Sequence, residues 1–337
     1  MSKETNSRNI ALDTICGIMT LHMILTHICS MTGVNYLLGK FLFFFMPWFF
    51  FKGGMIHKTI PEKDMVSKSV HRLIIPFIIF SIIGYIINLF NIYYSTGQLS
   101  LSNFIILPII QLLKVGSVSG NLPLWFLLTL FIVRIIFNYL SLHRFNPYIC
   151  FTASLLGAIG LTYSGLNMPF YVLNVLTGLV FYISGHILKD IQYSRIAITI
   201  AFLGLILIAY IIPTSVDMRT NELSYGLYPI WFPYCIFGIV LLNNCAAITP
   251  PRLHIAIKLH YIGKSSMTYY VIHWPIMLFV SLMFTIFAID YTSIGICIST
   301  IIACMILCPT FNKIVTRYFP TSLGIRHKPI LEKNLAT

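Results

Sequence analysis

Charge is what this sequence has least of. Only 9% of its 337 residues are Asp, Glu, Lys or Arg, and 58% are hydrophobic, whereas an ordinary soluble domain is roughly a quarter charged and half apolar. A water-soluble fold is excluded. Acidic residues are scarcer still, nine against 22 basic ones. An ion-coupled pump generally needs several carboxylates inside the bilayer, and here Asp13 alone falls clearly within an apolar run. No polar stretch is long enough to form a soluble domain, so residues 1–337 read as one membrane domain with short cytoplasmic tails, 1–9 and 312–337.

Other absences narrow the field. The eight cysteines form no CxxC pair and have no histidine at zinc spacing, so no metal is expected and the thiols read as small apolar helix residues. No period of 20 to 50 residues recurs, and the two halves lack a matching pair of broken helices, which weighs against an inverted-repeat transporter. The first apolar run has no small-x-small cleavage site and contains Asp13, His22 and His27. It reads as a retained helix rather than a signal peptide.

What the sequence does have is long apolar runs. A membrane crossing takes about 20 such residues, because lipid offers no partner to free backbone groups. Ten segments qualify, at 10–30, 37–57, 73–94, 122–142, 148–164, 169–188, 196–212, 229–247, 268–288 and 292–311. The run from Asn103 to Val118 is shorter and carries Pro108 and Lys114, which suits a re-entrant or interfacial segment. With the N-terminus inside, the inner loops collect seventeen Lys and Arg, from Lys3 and Arg8 to Lys333, while the outer side receives only Lys40, Lys114 and Arg219. That asymmetry is what positive-inside sorting predicts. The expected fold is therefore an all-α polytopic integral membrane protein of about ten transmembrane helices, with both termini cytoplasmic. The +13 formal charge lies in clusters beside apolar runs, so the expected partner is the bilayer and not nucleic acid.

Chemistry concentrates in the first helix. At 100° per residue Asp13, Cys16, Thr20 and His27 share one face, and His22 falls opposite. Asp13 and His27 lie roughly 21 Å apart along the axis, so the carboxylate cannot orient the imidazole as it would in a triad. His27 can serve as a general base near neutral pH, or equally as a helix-packing residue bonded to a neighbour. A cationic group, Lys58, Lys63, Lys68, His71 and Arg72, precedes Pro76. It suits anionic headgroups or a phosphorylated cosubstrate, and also plain topology. Lys52, just before Gly53-Gly54, either snorkels to the inner face or lines a polar cavity. Trp125, Tyr270, His273 and Trp274 are either interfacial anchors or ligand contacts.

Five motifs in order carry a resemblance. Leu12-Asp13-Thr14-Ile15-Cys16-Gly17 leads to His27; Met46-Pro47 runs on through Phe49-Phe50-Phe51 to Gly54; Arg72-Leu73-Ile74-Ile75-Pro76 opens the third span; Leu124-Trp125-Phe126-Leu127 follows. A late segment, Ile262-Gly263-Lys264 to Tyr270, His273 and Pro275, completes the set. Over nearly the whole chain these segments are similar to the membrane acyltransferase-3 family, integral-membrane O-acyltransferases of surface sugars. The chain departs from the family pattern at Cys16, where relatives carry a basic residue, so that cation is either dispensable here or supplied by another residue such as Lys52 or Arg8.

The resemblance implies transfer of an acyl group, most often acetyl, from acetyl-CoA as cosubstrate to a hydroxyl of a cell-surface polysaccharide or lipid-linked glycan. It implies a multi-pass protein of a bacterial inner or plasma membrane. His27 and Asp13 are then the expected catalytic residues, and Lys68, Arg72 and Lys264 the donor-phosphate ligands. Lys52, Trp125, Tyr270 and His273 would line the substrate pocket. The oligomeric state stays open, a homodimer included. Rival readings are a glycolipid flippase and a non-catalytic relative acting in an assembly.

Overall fold

The computed structural model describes residues 10–40, 42–191, 194–248, 254–287 and 292–325. The expected N-terminal tail 1–9, with Lys3 and Arg8, lies outside the described residues, as do Arg252 and residues 326–337 of the expected C-terminal tail. The chain is an all-α polytopic membrane protein. Among the described residues, seven helical stretches are long and apolar enough to cross a bilayer: Ile10–Thr32, Glu62–Thr96, Ile106–Leu142, Phe170–Leu188, Tyr228–Cys245, Ser266–Ile286 and Ser293–Tyr318.

The other three expected crossings fall on shorter helices. Taken in chain order, α1 is Ile10–Thr32, α2 Phe45–Met55, α3 Glu62–Ser69, α4 Ile75–Thr96, α5 Leu101–Phe104, α6 Ile106–Val115, α7 Trp125–Leu142 and α8 Pro147–Tyr163. They are followed by α9 Phe170–Leu173, α10 Val175–Leu188, α11 Arg195–Tyr210, α12 Tyr228–Ile248, α13 His254–Lys264, α14 Ser266–Ile286 and α15 Ser293–Tyr318. The run 37–57 resolves into a 3₁₀ turn, Leu37–Lys40, and the 11 residues of α2. At 1.5 Å per residue α2 is about 16 Å long, half a bilayer core. It works as a short helix because Phe45, Trp48, Phe50 and Phe51 are buried in protein rather than in lipid. The segment from Asn103 to Val118 forms α5 and α6, neither of which has a fully buried residue.

Two backbone features follow from proline. Pro76 has no N–H for the Arg72 carbonyl four residues back, and the helix widens into a π-turn over Val70–Ile74. Pro275 likewise leaves the Val271 carbonyl without its helical donor. The side-chain amide of Asn121 donates to it instead, at 2.9 Å.

Helix α1 is the axle of the bundle, with residues buried on every side, among them Asp13, Ile15, Cys16, Met19, His22, Met23 and Ile28. Close crossings use glycine, as lipid gives helices no hydrophobic reason to associate and backbone contact must supply the packing. A β-carbon on Gly263 of α13 would collide with the Asp13 carbonyl of α1, and one on Gly17 with the Leu259 carbonyl. In the same way Gly54 of α2 abuts the Tyr182 carbonyl of α10, and Gly185 of α10 abuts the Phe51 carbonyl. The sequence reading assigns residues 254–264 to an inner loop; they are a helix laid along the first half of α1. A two-stranded antiparallel hairpin, β1 Ser215–Asp217 and β2 Glu222–Tyr225, stands at the opposite end of the bundle.

Candidate active site

The second half of α1 delivers His27 into a group of rings. Its imidazole stacks on that of His273, with centroids 5.4 Å apart and planes 28° from parallel, and meets Trp274 edge-on, also at 5.4 Å. His273 is held in turn by Nδ1, which lies 2.7 Å from the Tyr270 carbonyl. Since a carbonyl only accepts, Nδ1 carries the proton and Nε2 is a free acceptor. Nε2 is buried without a partner. The Tyr270 hydroxyl donates to the Pro123 carbonyl, tying α14 to the 3₁₀ turn Ser119–Leu124 that precedes α7.

Beside these rings is an open cavity of about 440 Å³, lined among others by His27, Trp125, Arg219, Trp231, Tyr270 and Trp274. Its wall at the end of the bundle is the hairpin, through Val216 to Arg219 and Ser224. The hairpin is pinned: the Arg219 carbonyl accepts from the Asn174 amide at 2.9 Å, and the Asp217 carboxylate accepts from the Arg219 backbone N–H at 2.9 Å. The indole N–H groups of Trp231 and Trp274 are buried with no hydrogen-bond partner among the described residues. Such a chamber offers apolar ring faces, two unused donors, a guanidinium paired at 3.8 Å with the Asp217 carboxylate and one imidazole that can take a proton.

His27, Trp125, Tyr270 and His273 are thus brought together, with His273 behind His27 rather than on the cavity wall. The others lie elsewhere. Asp13 is buried at the far end of α1, where its carboxylate lies 3.6 Å from Nδ1 of His260 in α13. Lys52 is partly exposed, its ammonium 5.5 Å from the centre of the Trp48 ring, and Trp48 donates to Asn243 at 3.1 Å. Lys68, Arg72 and Lys264 are exposed at the end of the bundle where α1 begins, opposite the hairpin. His22 turns away from the cavity, Nδ1 3.0 Å from the Tyr36 hydroxyl.

The family model described as an acyltransferase domain, that of the acyltransferase-3 family, matches residues 9–311. The chain belongs to the acyltransferase-3 family. It is a membrane acyltransferase. No curated protein matches it, and no solved structure does.

Within this acyltransferase-3 chain the structure gives the motif residues concrete jobs. The glycines of the first and last motifs, Gly17 and Gly263, pack α1 against α13. The Cys16 departure lies three residues along α1 from Asp13, whose carboxylate is 3.6 Å from Nδ1 of His260. Sequence reasoning did not single out His260, Trp231 or Arg219, the last counted only as an outer-side charge. It also passed over Arg134, whose signal was plain: a guanidinium in the middle of an apolar 18-residue helix.

Proposed function

We propose that this acyltransferase moves an acetyl group from acetyl-CoA to a hydroxyl of a cell-surface polysaccharide or lipid-linked glycan, with His27 as the proton acceptor. The observation that carries the reading is that His27 lines a cavity of about 440 Å³ shared with three tryptophans. Indole faces suit the C–H faces of a sugar ring, and unpartnered indole N–H groups suit its hydroxyls. In the reaction, an imidazole nitrogen of His27 takes the hydroxyl proton as the sugar oxygen bonds to the thioester carbonyl carbon. The C–S bond then breaks, and the departing coenzyme A thiolate recovers the proton. Stacked on His273, the imidazole has little freedom to leave the plane this requires.

In this scheme Lys68, Arg72 and Lys264 attract the donor's phosphates at the basic end of the bundle. On the positive-inside rule that end, with both termini, faces the cytoplasm, and the membrane of this reading is a bacterial inner or plasma membrane. The cavity under the hairpin then faces outward, and the acyl group crosses while coenzyme A stays inside.

The test is transfer from labelled acetyl-CoA to a glycan acceptor by purified protein in nanodiscs. His27→Ala should lower turnover by about 10²-fold or more, the usual share of a general base. Unchanged turnover in a folded His27→Ala protein would remove His27 from the mechanism. Movement of a glycolipid without any use of acetyl-CoA would make the protein a flippase.

A further inference from the structure

Arg134 sits eight residues, about 12 Å, from the end of α7. A cation at that depth of a spanning helix is costly unless an anion compensates it. Its partners are neutral: the guanidinium lies 3.8 Å from the Met65 sulfur and hydrogen-bonds the Tyr182 hydroxyl. Among the described residues, no carboxylate comes within ion-pair distance. Of the acidic residues on this side, Asp13 lies against His260, Glu62 faces His143 at 3.7 Å, Asp64 is exposed, and Asp190, also exposed, acts on His186.

What surrounds Arg134 is further positive or proton-accepting chemistry. His57 is nine-tenths buried, its Nδ1 2.9 Å from the same Tyr182 hydroxyl and its Nε2 without a partner. His186 has an unpartnered buried Nδ1. The two imidazoles stand 6.4 Å apart, and both lie against Phe137, at 4.8 and 5.1 Å. The charge of Arg72 acts on Arg134, and that of Lys189 on both histidines. A separate cavity of about 210 Å³, lined by Thr59, Phe137, Ser141, His186 and others, adjoins the group.

We infer that Arg134, Tyr182, His57 and His186 form a buried anion site that takes a phosphate group. A guanidinium fork, imidazole nitrogens and a phenol are the donors that phosphate oxygens accept from best. Two molecules present that chemistry here, the nucleotide phosphates of an acyl donor and the headgroup of an anionic lipid. The site favours the donor on distance: Arg134 is nine residues, about 14 Å, from Trp125 on the wall of the His27 cavity, a span an extended pantetheine arm can cover. The site itself stands on Arg134 and its neighbours; only its use for the donor rests on the proposed acyl transfer.

The experiment uses the full chain in phosphatidylcholine nanodiscs, titrated with coenzyme A and with inorganic pyrophosphate by calorimetry. A parallel sample in phosphatidylglycerol is read by native mass spectrometry for retained lipid. Wild type should bind one of these probes, and Arg134→Gln and His57→Gln should each weaken that binding at least tenfold, with Arg134→Lys intermediate. If Arg134→Gln fails to fold, His57→Gln and Tyr182→Phe carry the same comparison. Coenzyme A affinity lost in the variants assigns the site to the donor, and phosphatidylglycerol lost in the variants assigns it to lipid. Either supports the site even where no acetyl transfer is found. Undiminished binding in the folded variants, or no binding of any probe by wild type, overturns it.

Discussion

Asn121 provides the sharpest test of how the cavity wall is held. It is fully buried, with a non-helical backbone (φ −158°, ψ 67°), and its amide spans from the turn before α7 to the Val271 carbonyl that Pro275 leaves without a helical donor. A second, longer contact of 3.4 Å reaches the Phe80 carbonyl. Asn121→Ala leaves the Val271 oxygen buried without that donor, at a cost of about 1–3 kcal/mol. In a Pro275→Ala background, residue 275 regains an N–H that can reach Val271 along the helix, so the same substitution should cost less. Interhelical hydrogen bonds in membrane proteins couple by about 0.6 kcal/mol on average and at most about 1.7. The expected coupling here lies toward the upper value, because the acceptor has no local substitute. Reversible unfolding in mixed detergent micelles, applied to wild type, both single variants and the double variant, measures it. An equal loss from Asn121→Ala in both backgrounds would refute the claim that Asn121 answers the proline.

Other substitutions probe the remaining contacts. Gly185→Val, which forces a branched side chain into the Phe51 carbonyl, should cost about 3 kcal/mol or more and show as loss of the monodisperse peak in heated size-exclusion samples. Tyr270→Phe removes a buried donor to the Pro123 carbonyl and should destabilise by about 1–2 kcal/mol in the same unfolding assay. Asp13→Asn and His260→Ala should each destabilise, and their double variant should lose less than the sum, by about 0.5 kcal/mol or more, in a double-mutant cycle. Trp231→Ala should raise KM for the glycan acceptor several-fold while leaving KM for acetyl-CoA near wild type in initial-rate assays.

Much of this arrangement was legible in the residues. Hydrophobic run length and the skew of Lys and Arg locate the helices because a bilayer imposes both rules on every segment alike. The helical wheel separates His27 from His22, and the structure seats them on opposite sides of α1 as rotation requires. Run length misjudges α2, since an 11-residue helix wrapped in protein has the same apolar composition as a longer one wrapped in lipid. It is blind to α13, whose Lys258, His260 and Lys264 make a helix packed along α1 look like a polar loop. Neither strand of the hairpin exceeds four residues, and Ser215–Asp217 has no alternation long enough to register. The clustering of His27 with His273 joins positions 246 residues apart, a contact that only tertiary packing creates.

The glycine-to-carbonyl contacts between α2 and α10 have one more consequence. With no side chain between the two backbones at Gly54 and Gly185, α2 and α10 meet carbonyl to Cα, and any larger residue at either position must push them apart. His57 follows one end of α2, and Phe45 and Met46 of the His27 cavity begin the other. A residue bulkier than glycine at 54 or 185 would therefore shift the one short helix that carries His57 at one end and part of the His27 cavity wall at the other.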